Sequence, residues 1–231
     1  IGLYGGAGID TLINSGRITA DVVNTTRATN AVSSYAIFSD GQARSTSRNY
    51  GYGALFFDSD NNTTIINDGE ATLNYYGDLG NYRGLSRAET TASGVTAGVG
   101  TDARGESRAY SSVLLRGVRL GTGSHTVVNN GEINVISAAF SSARAIANGN
   151  SVINGHATAI ARAFVNENTV TGVESLEGAL DFVNTGSVWV LNSPDAASSV
   201  DSTATGVSGI DPDSRATATI EMNNIHAYSV R

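Results

Sequence analysis

The stretch "GGAGIDTLINSGRITA", residues 5–20, supports two readings, and the choice between them decides the fold. Its first nine residues match the glycine-rich nonapeptide G-G-x-G-x-D-x-U-x, with U a large apolar residue, which wraps calcium in a parallel β-roll. From Leu12 onward it reads instead as two apolar residues, an asparagine, a glycine turn and a new strand. A β-roll takes its calcium ligands from consecutive nonapeptides, and the nonapeptide occurs once here. The second pattern recurs.

"LINSGRITA" (12–20) returns as "IINDGEATL" (65–73), "VVNNGEINV" (127–135) and "FVNTGSVWV" (182–190). Their common residues are Asn14 and Gly16, Asn67 and Gly69, Asn129 and Gly131, and Asn184 and Gly186. A weaker copy follows each one: "SDGQARSTS", "ARGESRA", "VINGHATAI" and "PDSRATAT". Aligned on the turn residue, the weaker copies fall at Gly41, Gly105, Gly155 and Ser214, so the eight copies are spaced 24 to 36 residues apart.

After each turn the pattern has period two, the signature of a strand. One face carries Ile18/Ala20, Ala71/Leu73, Ile133/Val135 and Val188/Val190, and in the weaker copies Ala43/Ser45, Ser107/Ala109, Ala157/Ala159 and Ala216/Ala218. That face is apolar or small and belongs inside; the alternate face is mostly polar and belongs in water. No segment shows helical spacing.

Short strands, glycine turns and a repeat near 28 residues predict one all-β domain over residues 1–231. The expected fold is a right-handed parallel β-helix (β-solenoid) of about eight coils, roughly 28 residues each, stacked at about 4.8 Å into a rod on the order of 40 Å long. Only alternate copies carry the full Asn-x-Gly, so a two-coil unit of roughly 55 residues is the alternative. In either case the turn glycines are expected to supply positive φ, the asparagines to stack, and Ala and Ser to fill a crowded interior.

Composition narrows the function. The 231 residues carry a net charge of −7, and all fourteen basic residues are arginine. Dispersed arginine in an acidic chain argues against nucleic acid, which needs a clustered basic footprint. Zero cysteines remove disulfides and thiolate metal sites. No apolar run approaches the length of a membrane span. The chain opens at Ile1 without a charged leader, as expected of a processed form or an excerpt.

The texture of "VNNGEINV", "ARAIANG" and "VINGHATAI" resembles the passenger domains of bacterial autotransporter-type adhesins and related secreted β-solenoids. The resemblance is one of repeat style and runs from Gly5 to the end. It implies an extracellular or bacterial cell-surface location and a non-enzymatic structural or adhesive role. The implied partners are surface glycans or a host or cell-surface protein.

Catalysis has little to draw on. A polysaccharide lyase or glycoside hydrolase on a β-helix would need converging carboxylates. The paired candidates, Asp58/Asp60 and Asp211/Asp213, lie in turn-like stretches where Asp bonds local backbone. His125, His156 and His226 share no register. No cofactor is expected, and at Asp10 a plain turn is favoured over calcium. Binding is better served. The longest excursion of the repeat, residues 70–95, brings Tyr75, Tyr76 and Tyr82 beside Arg83 and Arg87, and tyrosine and arginine anchor interfaces. Trp189, the single tryptophan, falls on the outward column of its strand. Solenoid ends present unpaired backbone, so self-association of ends into a filament, or continuation into neighbouring coils of a longer chain, is the further expectation.

Overall fold

A computed structural model describes residues 2–5, 8–35, 38–60, 62–76, 85–206 and 213–231. The protein is all-β, 88% strand, with no helix among the described residues. Among the described residues no helix is long and apolar enough to cross a membrane, and every strand pairing is parallel.

The elements are β1 (Leu3–Tyr4), β2 (Asp10–Asn14), β3 (Arg17–Tyr35), β4 (Phe38–Asp60), β5 (Thr63–Asn67), β6 (Glu70–Tyr76), β7 (Leu85–Thr122), β8 (Ser124–Asn129), β9 (Glu132–Ser175), β10 (Ala179–Asn184), β11 (Ser187–Asn192), β12 (Asp195–Gly206) and β13 (Asp213–Val230). The short strands β2, β5, β8 and β10 form one sheet, and the other nine form a second.

The register sets the true repeat. Asn14 lies opposite Asn67, Asn67 opposite Asn129, and Asn129 opposite Asn184. These separations are 53, 62 and 55 residues. A strand's neighbour along the stack is thus one strong copy away, about twice the 28-residue spacing expected for a coil. The weaker copies pair among themselves: Asp40 with Asp102, Asp102 with His156, and His156 with Asp213. Strong and weak copies do not stack on one another; they belong to different limbs of one unit. The weaker copies are not turns either, since Gly41 and Gly105 sit inside the continuous strands β4 and β7.

Each unit has a base and two arms. At the base, a short strand and the strand after the Asn-x-Gly turn enclose an aliphatic core of Leu55, Phe56, Ile65, Leu73, Leu115, Val127, Ile133 and Val135 with their neighbours. Beyond the base the chain runs out along an outbound arm and comes back along a return arm. Between these arms the buried apolar side chains are alanines, Ala103, Ala109, Ala143, Ala145, Ala147, Ala157, Ala159, Ala161 and Ala163, with Val200 against them and buried serines such as Ser47, Ser107 and Ser141 among them. Methyl groups let the two sheets approach closely. A Cβ built on Gly105 would stand 2.3 Å from the backbone oxygen of Ile146 on the facing arm. Ser141 and Ser198 bridge the arms, donating to the carbonyls of Ala109 at 2.9 Å and Ala161 at 2.8 Å.

The base is pinned by an asparagine ladder. Asn14 Nδ2 donates to Asn67 Oδ1, Asn67 Nδ2 to Asn129 Oδ1, and Asn129 Nδ2 to Asn184 Oδ1, each at 2.7 Å. The second amide hydrogen in each case reaches a backbone carbonyl, of Glu70, Glu132 and Ser187 respectively. Asn67 and Asn129 are fully buried, so their amide groups need these partners. The adjacent glycines have a different reason from the one expected. Positive φ occurs at Gly8, Gly123 and Gly178, and not at Gly16, Gly69, Gly131 or Gly186. Close approach is what excludes a side chain: a Cβ on Gly69, Gly131 or Gly186 would fall within about 2 Å of the carbonyl oxygen of the glycine one unit below.

Candidate functional site

Along the return arms alternate side chains face solvent, and the register lays them out in rows. Asp40, Asp102, His156 and Asp213 form the first, nearest the tip of the arms. Next comes Gln42–Arg104–Thr158–Arg215, then Arg44–Glu106–Ile160–Thr217, then Thr46–Arg108–Arg162–Thr219 and Arg48–Tyr110–Phe164–Glu221. Side chains in one row are one strand spacing apart, about 4.8 Å, and successive rows are about 6.6 Å apart. The result is a flat face on which arginines converge.

Glu106 is the hub. Its side chain is 3% exposed, covered by the arginines it binds. Arg108 donates to its Oε1, Arg44 Nε lies 3.0 Å from Oε2, and Arg104 Nη2 lies 3.8 Å from the same oxygen. Burial alone would raise the Glu106 carboxyl; the hydrogen bond and charge of Arg108, with the charges of Arg44 and Arg104, outweigh it and hold the group below the ordinary carboxylate range. The hydrogen bond that Arg108 donates to Glu106, and then the carboxylate's charge, raise the Arg108 guanidinium in turn. One carboxylate thus faces three guanidiniums. Arg48 stands 5.5 Å over the ring of Tyr110, which stacks on Phe164 at 4.7 Å. Arg215 is held by Asp213 at 3.1 Å. The face sets Arg44, Arg48, Arg104, Arg108, Arg162 and Arg215 against Asp40, Asp102, Glu106, Asp213 and Glu221, so it is close to charge balance, with its aspartates in the row nearest the tip and its arginines concentrated around Glu106.

The residues singled out from sequence are dispersed. Trp189 lies in β11 beside Asn134, 53% exposed, on the outbound side of the base. Tyr75 and Tyr76 close β6; Tyr82 and Arg83 lie outside the described residues. The excursion carrying them is visible in the register. Val23 pairs with Tyr76, yet Asn24 pairs with Ser86, so the second unit carries nine extra residues between two adjacent positions of the first. Asp58 pairs with Leu120, near the base end of the return arm, whereas Asp213 pairs with His156 at its tip. Roughly 60 Å of strand separates those register positions, so the two acidic stretches do not converge; Asp211 is outside the described residues. His125 is buried in the base core, while His156 and His226 are exposed. Asp10 is paired within the sheet opposite Thr63, and no group of three or more metal-ligating side chains occurs among the described residues.

Sequence reasoning missed the arginine face. Its signal was present as Arg at alternate positions in "GQARSTSR", "ARGESR" and "ATAIAR". These segments become one surface only when stacked at the longer repeat. No family model matches the sequence, and comparison with curated proteins and with solved structures finds no match.

Proposed function

We propose that this protein is a non-enzymatic β-solenoid with a structural and adhesive role at an extracellular or bacterial surface, and that its return-arm face adheres to an acidic polymer. The observation that carries this reading is the convergence of Arg44, Arg104 and Arg108 on one carboxylate, with Arg48, Arg162 and the stacked Tyr110–Phe164 pair alongside. Guanidiniums present forked donors suited to carboxylate and sulfate groups. A flat face with charges repeating at strand spacing suits a repeating chain better than a single small molecule. In this reading the solenoid is right-handed, since parallel crossovers almost always are. Its coil is about 55 residues, so the chain makes about four coils instead of eight, roughly 20 Å high.

The test is adhesion of the purified protein to surfaces coated with a polyuronate, a sulfated glycan or a neutral glucan, across a salt series. Retention on the acidic coatings that falls steeply with salt supports the reading. Equal retention on the neutral coating would defeat it. A second reading, a filament subunit stacking end to end, is favoured by apolar side chains in the outermost strands. Ile13 is 57% exposed at one end; Ile220 and Met222 are 51% and 50% exposed at the other. Light scattering with negative-stain microscopy separates the two: rods with a continuous axial repeat would establish stacking, and a concentration-independent monomer would dismiss it.

A further inference from the structure

The arginine face does not stop at Tyr110. The outward parity continues through Tyr50 and Tyr52 on β4 and through Ser112, Leu114 and Arg116 on β7. There it opens into a cavity of about 250 Å³ lined by Tyr52, Gly53, Ala54, Phe57, Leu114, Arg116 and Arg119. The wall is mostly apolar and aromatic, and its polar side-chain groups are the Tyr52 hydroxyl and two guanidiniums, the only charged groups in the lining. Tyr52 is 66% exposed, so its ring stands at the mouth. The volume, below that of an ordinary drug-sized pocket, has room for one ring-sized group.

The two arginines differ. Arg116 is engaged by Glu174, a nearly buried carboxylate that Arg231 also approaches at 3.9 Å. Arg119 is not. Its register partner is Glu174 itself, but that carboxylate is turned to Arg116, and no ion pair to Arg119 forms among the described residues. The guanidinium lies 5.3 Å over the Phe57 ring, which stacks in turn on Tyr4 at 5.4 Å. Its Nε is buried without a hydrogen-bond partner. That atom is closed off from the cavity; what the cavity meets is the rest of the partly exposed Arg119 side chain, which makes no ion pair among the described residues.

We propose that this cavity is a subsite for one acidic sugar ring, a uronate unit of the polymer held by the arginine face. The ring lies against Tyr52, and its carboxylate accepts from Arg119; Arg116, fixed by Glu174, defines the far wall. This rests on the adhesive reading above and names the unit it recognises. A neutral hexose fills the same space without satisfying Arg119, so selectivity resides in one charge-assisted contact, which a 10- to 100-fold preference would express.

The experiment uses the full chain. Sodium glucuronate and glucose are titrated separately and followed by saturation-transfer and chemical-shift NMR. Glucuronate is expected to bind with a Kd on the order of 1 mM, the scale for a single small ring, and glucose at least tenfold more weakly. Arg119→Met, which retains an unbranched apolar stem over Phe57, should abolish that preference while leaving the circular dichroism and melting temperature unchanged. Tyr52→Ala, at an exposed position, should weaken both sugars. Equal affinity for the two sugars, or an unaltered preference in Arg119→Met or a second variant, Arg119→Gln, would overturn the assignment. If polyuronate surfaces still retain the protein in those cases, only the subsite falls. If neither polymer nor monosaccharide binds the wild type, the adhesive reading falls with it.

Discussion

Replacing Asn67 by alanine tests whether the asparagine ladder holds the base of the stack. The side chain makes three hydrogen bonds: it accepts from Asn14 Nδ2, donates to Asn129 Oδ1, and donates to the Glu132 carbonyl at 3.1 Å. A typical bond is worth about 1 kcal/mol net, and a buried group left unpaired costs about 1–3 kcal/mol. Truncation leaves one hydrogen of the Asn14 amide without its acceptor, the other still reaching the Glu70 carbonyl, and leaves Asn129 Oδ1 without its donor, both in buried residues. The expected loss is about 3–4 kcal/mol, a large share of the roughly 5–15 kcal/mol that holds a domain folded. At about 2–4 °C per kcal/mol for a chain this long, Tm should fall by roughly 6–15 °C. Asn184 is the internal control. It is exposed and contributes one bond, as acceptor from Asn129 at 2.7 Å, so Asn184→Ala should cost about 1 kcal/mol. Urea titrations read by circular dichroism on both variants give the comparison. Stacked units unfold unit by unit as well as together, so the ratio of the two losses is more telling than either value. Equal losses, or an Asn67→Ala protein within 1 kcal/mol of wild type, would refute the ladder as a source of stability.

Gly105→Ala should destabilise by about 1–3 kcal/mol, because its new methyl meets the Ile146 backbone on the facing arm. Gly16→Ala, where a Cβ meets nothing within 4 Å, should stay within about 0.5 kcal/mol; paired melts read the contrast. Glu106→Gln should lower stability at pH 7 by about 1–2 kcal/mol, discounted because its arginine partners are 38–65% exposed. The folded-state carboxyl is held below its ordinary value. The stabilisation is therefore complete above the unfolded-state value and is lost as pH falls through the lowered one, so the gap between wild type and Glu106→Gln should close in acid. The same variant frees its three arginines and should bind polyuronate more tightly, with a steeper salt dependence, measured by retention across a salt series. Deleting residues 77–85 should change stability by less than about 1 kcal/mol, since it restores the direct connection that the first unit makes between Val23 and Asn24.

Much of the architecture was legible because period two is a strong signal. The inward pairs after each turn, from Ile18/Ala20 to Val188/Val190, are more buried than the residues between them. The repeat length was harder. Strong and weak copies alike show apolar–polar alternation, and spacing alone cannot say whether two copies lie above one another or across from one another. The asparagines held the answer, because a ladder at 2.7 Å needs an asparagine in every unit. Asn14, Asn67, Asn129 and Asn184 occur at the longer interval. The turn glycines were explained by φ, when the constraint at Gly69, Gly131 and Gly186 comes from the carbonyl of the unit below. Alignment of the weak copies on Gly41, Gly105 and Gly155 was out by two residues at the first step and four at the second, since Gly41 pairs with Ala103 and Gly105 with Ala159. An even slip keeps every residue on its own face, so Ala43, Ser107 and Ala159 were still placed inward. The Glu106 hub was invisible because its arginines come from two segments about sixty residues apart.

That tolerance of an even slip is also a property of the folded molecule. Between the arms one methyl resembles the next, and a strand moved by two residues would still present alanines to its neighbour. Among the described residues, what distinguishes one alignment from another there is chiefly the pair of serines, Ser141 and Ser198, that bond across the arms. Register must therefore be indexed mainly elsewhere, and the base is where unlike shapes and the amide ladder occur. Register nevertheless runs unbroken through the alanine stretch, from Gly100 opposite Asn154 to Ser111 opposite Val165, and β7 and β9 change register only at its two ends, between Gly98 and Gly100 and between Ser111 and Leu114; the pairings around the asparagines also run without a break. The base acts as the toothed edge of a zip and the arms as its smooth tape. Damage to the teeth should thus appear first as arms that are still paired, but paired to the wrong residues.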